Sequence, residues 1–115
     1  MPARSFLVAL VAIGVIGAGS AAAAGRSGPR PPRTHTVEMS GMEFHPATLE
    51  VQPGDTVVWI NRDIVPHTAT ATGKPAWDTG PILQGKSGRY VPKHRGAFPY
   101  ACTFHPVMLG KLMVK

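Results

Sequence analysis

From Thr34 onward, apolar and polar residues alternate in short runs, and turn residues cut the runs every few positions. His35-Thr36-Val37-Glu38-Met39 alternates with a period of two, which puts Val37 and Met39 on one face of a strand. Ser40-Gly41 turns the chain, and Met42 to His45 and Thr48 to Val51 read as short extended pieces around Pro46. Pro53-Gly54-Asp55 is a tight-turn sequence, with proline presetting φ and glycine taking the permissive position. The strongest strand is Thr56-Val57-Val58-Trp59-Ile60-Asn61, rich in β-branched and aromatic residues. His67 to Thr72 is expected to be the next strand, and Trp77 to Lys86, which holds Asp78, Gly80, Pro81 and Gly85, a loop. Gly88 to Val91 forms a short strand ended by Pro92. Lys93 to Gly96 then turns into Ala97–Cys102, where Phe98, Tyr100 and Cys102 share one face. Leu109 to Val114 is the terminal strand. Short strands at this spacing, with no capped helical stretch among them, predict an all-β sandwich or barrel.

The first 33 residues follow another pattern. Met1 to Arg4 carries one positive charge, Phe6 to Ala18 is apolar and uncharged, and Ser20 to Ala24 is a run of small residues. That three-part layout is a secretory signal, and its apolar core is short for a membrane span of about 20 residues. Residues 1–24 are therefore read as a cleaved signal peptide, 25–33 as a basic, proline-rich, solvated linker, and 34–115 as one domain. The expected location is periplasmic or otherwise exported, with no stable membrane insertion after processing.

Export sharpens the question of the cysteine. A domain this small is only marginally stable, and a single cysteine cannot form an internal disulfide. Unpaired in an exported protein, Cys102 is either a reactive liability or chemically occupied. Charge changes the picture less. Twelve Lys and Arg stand against six Asp and Glu, a formal +6, but from Thr34 onward there are eight against six. The basic excess belongs to the leader and linker, so nucleic acid is not an expected partner.

Cys102 opens the run Cys102-Thr103-Phe104-His105-Pro106-Val107-Met108, followed by Gly110. Thiolate, imidazole and thioether recur three residues apart. A His₂Cys set with a weak, long axial methionine is the donor set of an electron-transfer copper centre. The run supplies three of those donors, and His67, just after Pro66 at the start of a strand, is the candidate fourth. Pro106 stiffens the loop, and Gly110 is expected to let the chain turn into the last strand. Zinc wants four strong ligands, usually several cysteines, and haem attachment wants Cys-x-x-Cys-His. A cysteine nucleophile would need an orienting acid and oxyanion donors that are not evident, so no enzyme is expected. His35, His45 and His94 are read as solvated. Met39 and Met42 are a pair that soft Cu(I) could use, which keeps a copper carrier or buffer as the alternative function. Inward packing is the preferred reading of Met42.

The run Tyr100-x-Cys102-Thr103-x-His105-Pro106-x-Met108-x-Gly110-Lys111, with Gly54-Asp55-Thr56-Val57-x-Trp59-Ile60-Asn61-Arg62 and Pro66-His67, resembles the cupredoxins, and among them the small members of the plastocyanin/azurin family with a short ligand loop. The resemblance spans roughly Thr34 to Lys115. It implies a Greek-key β-sandwich and one type 1 copper ion held by His67, Cys102, His105 and Met108. It also implies single-electron transfer between redox protein partners outside the cytoplasm. Docking is expected near His105, amid Pro66, Pro106, Val107 and Leu109, by a monomer. Such proteins commonly carry Asn directly after the first ligand histidine, tying the two ligand loops together. Thr68 stands there in this chain, and a weaker tie is expected.

Overall fold

The computed structural model describes residues 30–115, together with Gly14. The expected signal segment (Gly14 apart) and residues 25–29 of the expected linker lie outside the described residues. No helix among the described residues is long and apolar enough to cross a membrane. The strands are β1 (Thr34–Ser40), β2 (Glu43–His45), β3 (Thr48–Val51), β4 (Thr56–Asn61), β5 (Thr70–Ala71), β6 (Ser87–Tyr90), β7 (Gly96–Ala101) and β8 (Leu109–Val114). They form two four-stranded sheets, in the orders β2-β1-β4-β6 and β3-β8-β7-β5. The chain changes sheet at every connection from β2 to β7, so the core is closed by contacts between residues distant in sequence.

Strict alternation in β4 sends Val57, Trp59 and Asn61 inward. Its parallel register with β1 sets Val37 beside Trp59, and β1 contributes Val37 and Met39 to the core. From the other sheet come Val51, Tyr100, Leu112 and Val114. Aromatic rings fill the middle: Tyr100 meets Phe44 edge-on at 4.7 Å, and Trp77 stacks on Tyr90 at 4.4 Å and on Trp59 at 5.4 Å. Burial pushes the Tyr100 phenol up to about 12, because the charged form would be stripped of water.

Three expectations change. The strand predicted over His67–Thr72 shrinks to Thr70–Ala71. His67 instead exchanges both backbone bonds with Ile82, and Ala69 O accepts from Thr79 N–H, so the segment leaves its own sheet to bind the 77–86 loop. Gly110 does not serve a turn. It lies inside β8 opposite Tyr100, and a Cβ there would sit 2.2 Å from the ring. The third change concerns the tail, whose end stays exposed over Pro31–Arg33 but is pinned to the domain. Arg30 forms a two-pronged ion pair with Asp55 at 3.0 and 2.7 Å, and the same carboxylate accepts from Arg33 N–H, Gln52 N–H and His35 Nε2–H. His35, read as solvated, is therefore held by the domain, and the turn residue Asp55 is the anchor.

Gly110→Ala forces the aromatic ring or the β7–β8 pairing to move, a cost of about 1–3 kcal/mol for overpacking. The expected result is a melting temperature several degrees lower, measured by circular dichroism.

Hydrogen bonds from Arg30, offset in part by desolvation and aided by Arg33, Gln52 and His35, hold the Asp55 carboxyl far below the ordinary carboxylate range. A carboxyl depressed in the folded state adds stability that is complete above its unfolded value, about 3.9, and is lost as pH falls toward the folded one. The melting temperature of the unmutated protein should therefore drop on acidification below about pH 5, and Asp55→Asn should flatten that drop. Parallel thermal melts between pH 7 and 2 provide the check.

Candidate metal centre

Cys102 directly follows β7 and Met108 directly precedes β8. Because β7 and β8 pair antiparallel up to Ala101 opposite Leu109, the ends of the ligand loop are brought together by the ladder itself. Inside the loop, Cys102 N–H donates to Met108 O at 3.2 Å and Met108 N–H donates to His105 O at 2.8 Å. The tight connection expected from Cys-x-x-His-x-x-Met is thus closed by its own backbone. Cys102 and Met108 are buried, while His105 stays partly exposed.

His67 reaches this loop from the other side. Its Nδ1 lies 3.7 Å from Cys102 Sγ, and His105 Nδ1 lies 3.8 Å from the same sulfur. All three donor atoms fall within 4.8 Å of one another. The two imidazoles meet edge-on with centroids 5.1 Å apart. Thr68 N–H donates to Cys102 Sγ at 3.3 Å.

The His67 ring is oriented from behind. Its Nε2–H donates to Asp63 Oδ2 at 2.8 Å, which leaves the Nδ1 lone pair facing the sulfur. Asp63 also accepts from Gly41 N–H at 2.8 Å and Met42 N–H at 3.0 Å. Desolvation works to raise its pKa, but bonds from Met42, His67 and Gly41 outweigh it and hold the carboxyl below its ordinary value. Asn61, buried at the end of β4, builds the loop between them: its Nδ2 donates to Val65 O and Ile82 O, and its Oδ1 accepts from Asp63 N–H, all at 2.8 Å. Asp63 does not stand out in the sequence, and Asn61 enters there only as part of the run that carries the resemblance, with no role assigned. The available signal was a polar residue at an inward position of the best strand, followed by a carboxylate four residues before a histidine.

Thr68 makes the tie between the two ligand loops. Its hydroxyl contacts Thr70 Oγ1 at 2.9 Å and Thr103 Oγ1 at 3.0 Å, and accepts from Thr103 N–H at 2.9 Å. The remaining candidates lie elsewhere. His45 is exposed with Nε2–H on Ser40 O, and His94 is exposed. Met39 is buried in the core and Met42 is on the surface at 38% exposure, so the expected inward packing belongs to Met39 and not to Met42.

The donor set fits a copper ion. For metal–sulfur and metal–nitrogen bonds of about 2.3 and 2.0 Å, a trigonal arrangement separates sulfur from nitrogen by about 3.7 Å and a tetrahedral one by about 3.5 Å. The two observed separations, 3.7 and 3.8 Å, match the trigonal value. One thiolate and two imidazoles, with a buried thioether in the same loop, suit copper and give zinc only three strong ligands.

The family model for copper-binding proteins of the plastocyanin/azurin family matches residues 33–115. An amicyanin of Paracoccus denitrificans is 34% identical over 84 residues, covering 69% of this chain and 63% of that protein. The match thus spans less than two thirds of that relative's length. Amicyanin-alpha of Methylorubrum extorquens is 29% identical over 119 residues and is matched end to end. A solved structure of a Cu(I) amicyanin variant superposes with a TM-score of 0.67 at 29% identity, covering 71% of this chain and 82% of that one.

Asp63→Ala removes the acceptor behind His67 and frees the Gly41–Met42 turn. Copper affinity should fall about 10–100-fold, the usual cost of losing such an orienting partner. A competition titration against a chelator measures it.

Proposed function

This chain belongs to the plastocyanin/azurin family of copper-binding proteins, and we propose that it is a single-electron carrier that holds one type 1 copper through His67, Cys102, His105 and Met108. The observation that carries this reading is the convergence of two Nδ1 atoms and one Sγ from two separate loops. Copper bound there supplies reversible one-electron chemistry between Cu(II) and Cu(I). The protein's part is to keep the donors still. The backbone bonds that close the 102–108 loop and the Asp63 and Thr68 contacts keep the same positions available to both oxidation states. Met108 would hold the ion as a fourth, weak thioether donor. Held by all four residues, the ion would keep no open position for a substrate, which fits a carrier and not an enzyme.

Partial exposure makes His105 the edge through which electrons enter and leave. Exposed Phe104 and Val107 on its own loop, Leu109 at the start of β8, and Ile64 three residues before His67 offer an apolar surface for brief docking of redox proteins. A methylamine utilization protein of Methylophilus methylotrophus is among the relatives, 31% identical over 88 residues that cover 73% of this chain and 51% of that protein, so partners in methylamine utilization are the first to test. We further infer a monomer working in the periplasm after removal of residues 1–24. A copper buffer is less consistent with the site, because His67 and Cys102 are fully buried and built for retention.

Titrating the mature protein with Cu(II) should yield one copper per chain and an intense blue colour that bleaches on reduction. Cys102→Ser should abolish the colour. A colourless copper complex of the unmutated protein would overturn the assignment.

A further inference from the structure

A line of hydroxyls runs from the surface to the loop that carries Cys102, and the proton positions along it can be read off. Thr70 Oγ1–H donates to Asp78 Oδ1 at 2.9 Å, and an ionised carboxylate can only accept. With its single proton committed there, Thr70 Oγ1 must accept at its 2.9 Å contact with Thr68, so Thr68 Oγ1–H is the donor. Thr68 Oγ1 is left with its lone pairs, and these take Thr103 N–H at 2.9 Å and Thr103 Oγ1–H at 3.0 Å. Each hydroxyl from Thr103 to Thr70 therefore points its proton toward Asp78.

The anchor is held in place although it is exposed. Asp78 Oδ1 also accepts from Gly80 N–H at 2.8 Å, and Asp78 bridges Thr70 through the backbone. One residue further, Ala69 N–H donates to Thr79 Oγ1 at 3.0 Å. At the far end, Thr68 immediately follows His67 and Thr103 immediately follows Cys102. The line thus joins the two loops that bring the sulfur and the first imidazole together. Aligned hydroxyls polarise one another, so an ionic acceptor at one end strengthens the bonds at the other.

We propose that Asp78 and Thr70 are positioning residues of the metal centre, which fix the Cys102 loop against the His67 loop through the ordered hydroxyls of Thr68 and Thr103. This rests on the copper reading for its consequence, small rearrangement on electron transfer, but not for its geometry. Neither residue touches a donor atom. Their effect passes entirely through Thr68.

The test uses Thr70→Val, Thr70→Ser, Asp78→Ala and the double variant Thr70→Val with Asp78→Ala. In copper-free protein, Thr70→Val should speed exchange of the Thr103 amide proton about tenfold, the scale of one lost hydrogen bond. In copper-loaded protein the same change should slow electron self-exchange and alter the EPR hyperfine coupling. Thr70→Ser, which keeps the hydroxyl, should restore all three readouts. Asp78→Ala should act in the same direction as Thr70→Val and add nothing to it in the double variant. Unchanged Thr103 exchange in Thr70→Val, additive effects in the double variant, or a Thr70→Ser that behaves like Thr70→Val would each overturn the proposal. Those outcomes leave the blue colour of the unmutated protein untouched, whereas a colourless unmutated protein overturns the copper reading while the amide exchange still reports on the hydroxyls.

Discussion

The pairing of β7 with β8 is the constraint on which the site depends. The Tyr100 ring lies against Gly110 in that ladder, and the approach is so close that a side chain at Gly110 would force the ring or the pairing to move. This locks the register, and with it the positions where Cys102 leaves one strand and Met108 enters the next. A slip of one residue would invert every side chain on the strand and carry the sulfur to the other face of the sheet. The same tyrosine ring meets Phe44, Trp59 and Trp77, so the core that stabilises the sandwich also aims the ligand loop.

Buried polar side chains perform the complementary task on the other loops. Asp55 gathers Arg30, Arg33, His35 and Gln52 at the end of the domain where β1 starts, and Asn61 with Asp63 shapes the loop before His67. Each is a site of high cost if left unpaired and of high specificity when satisfied. Among the described residues there is no disulfide partner for Cys102, so these polar anchors and the metal share the work of holding loops that lie far apart in sequence.

Rigidity serves the function directly. Both imidazoles and the thiolate already stand at separations suited to a trigonal ion, and Thr68 N–H already meets the sulfur. An electron carrier gains from a site that looks the same before and after transfer, because little has to reorganise.

Alternation and turn residues by themselves determined the all-β class and the near-correct positions of β1, β3, β4, β7 and β8, since each strand's inward face is a local pattern of period two, and the family resemblance chose the sandwich over the barrel. The spacing Cys102-His105-Met108 was equally legible, being one short loop, and Pro66-His67 could be added from its place after the strongest strand. What tertiary structure decided was everything set by a partner remote in sequence. The expected strand over His67–Thr72 gave way because His67 found Ile82. His35 and Arg30 were drawn in by Asp55, more than twenty residues from Arg30, and Gly110 was demanded by a ring on the neighbouring strand. Asp63 and Asp78 owe their roles to hydrogen bonds that exist only once the loops have met. A sequence shows which groups can donate and accept; the fold alone decides which of them come within three ångströms.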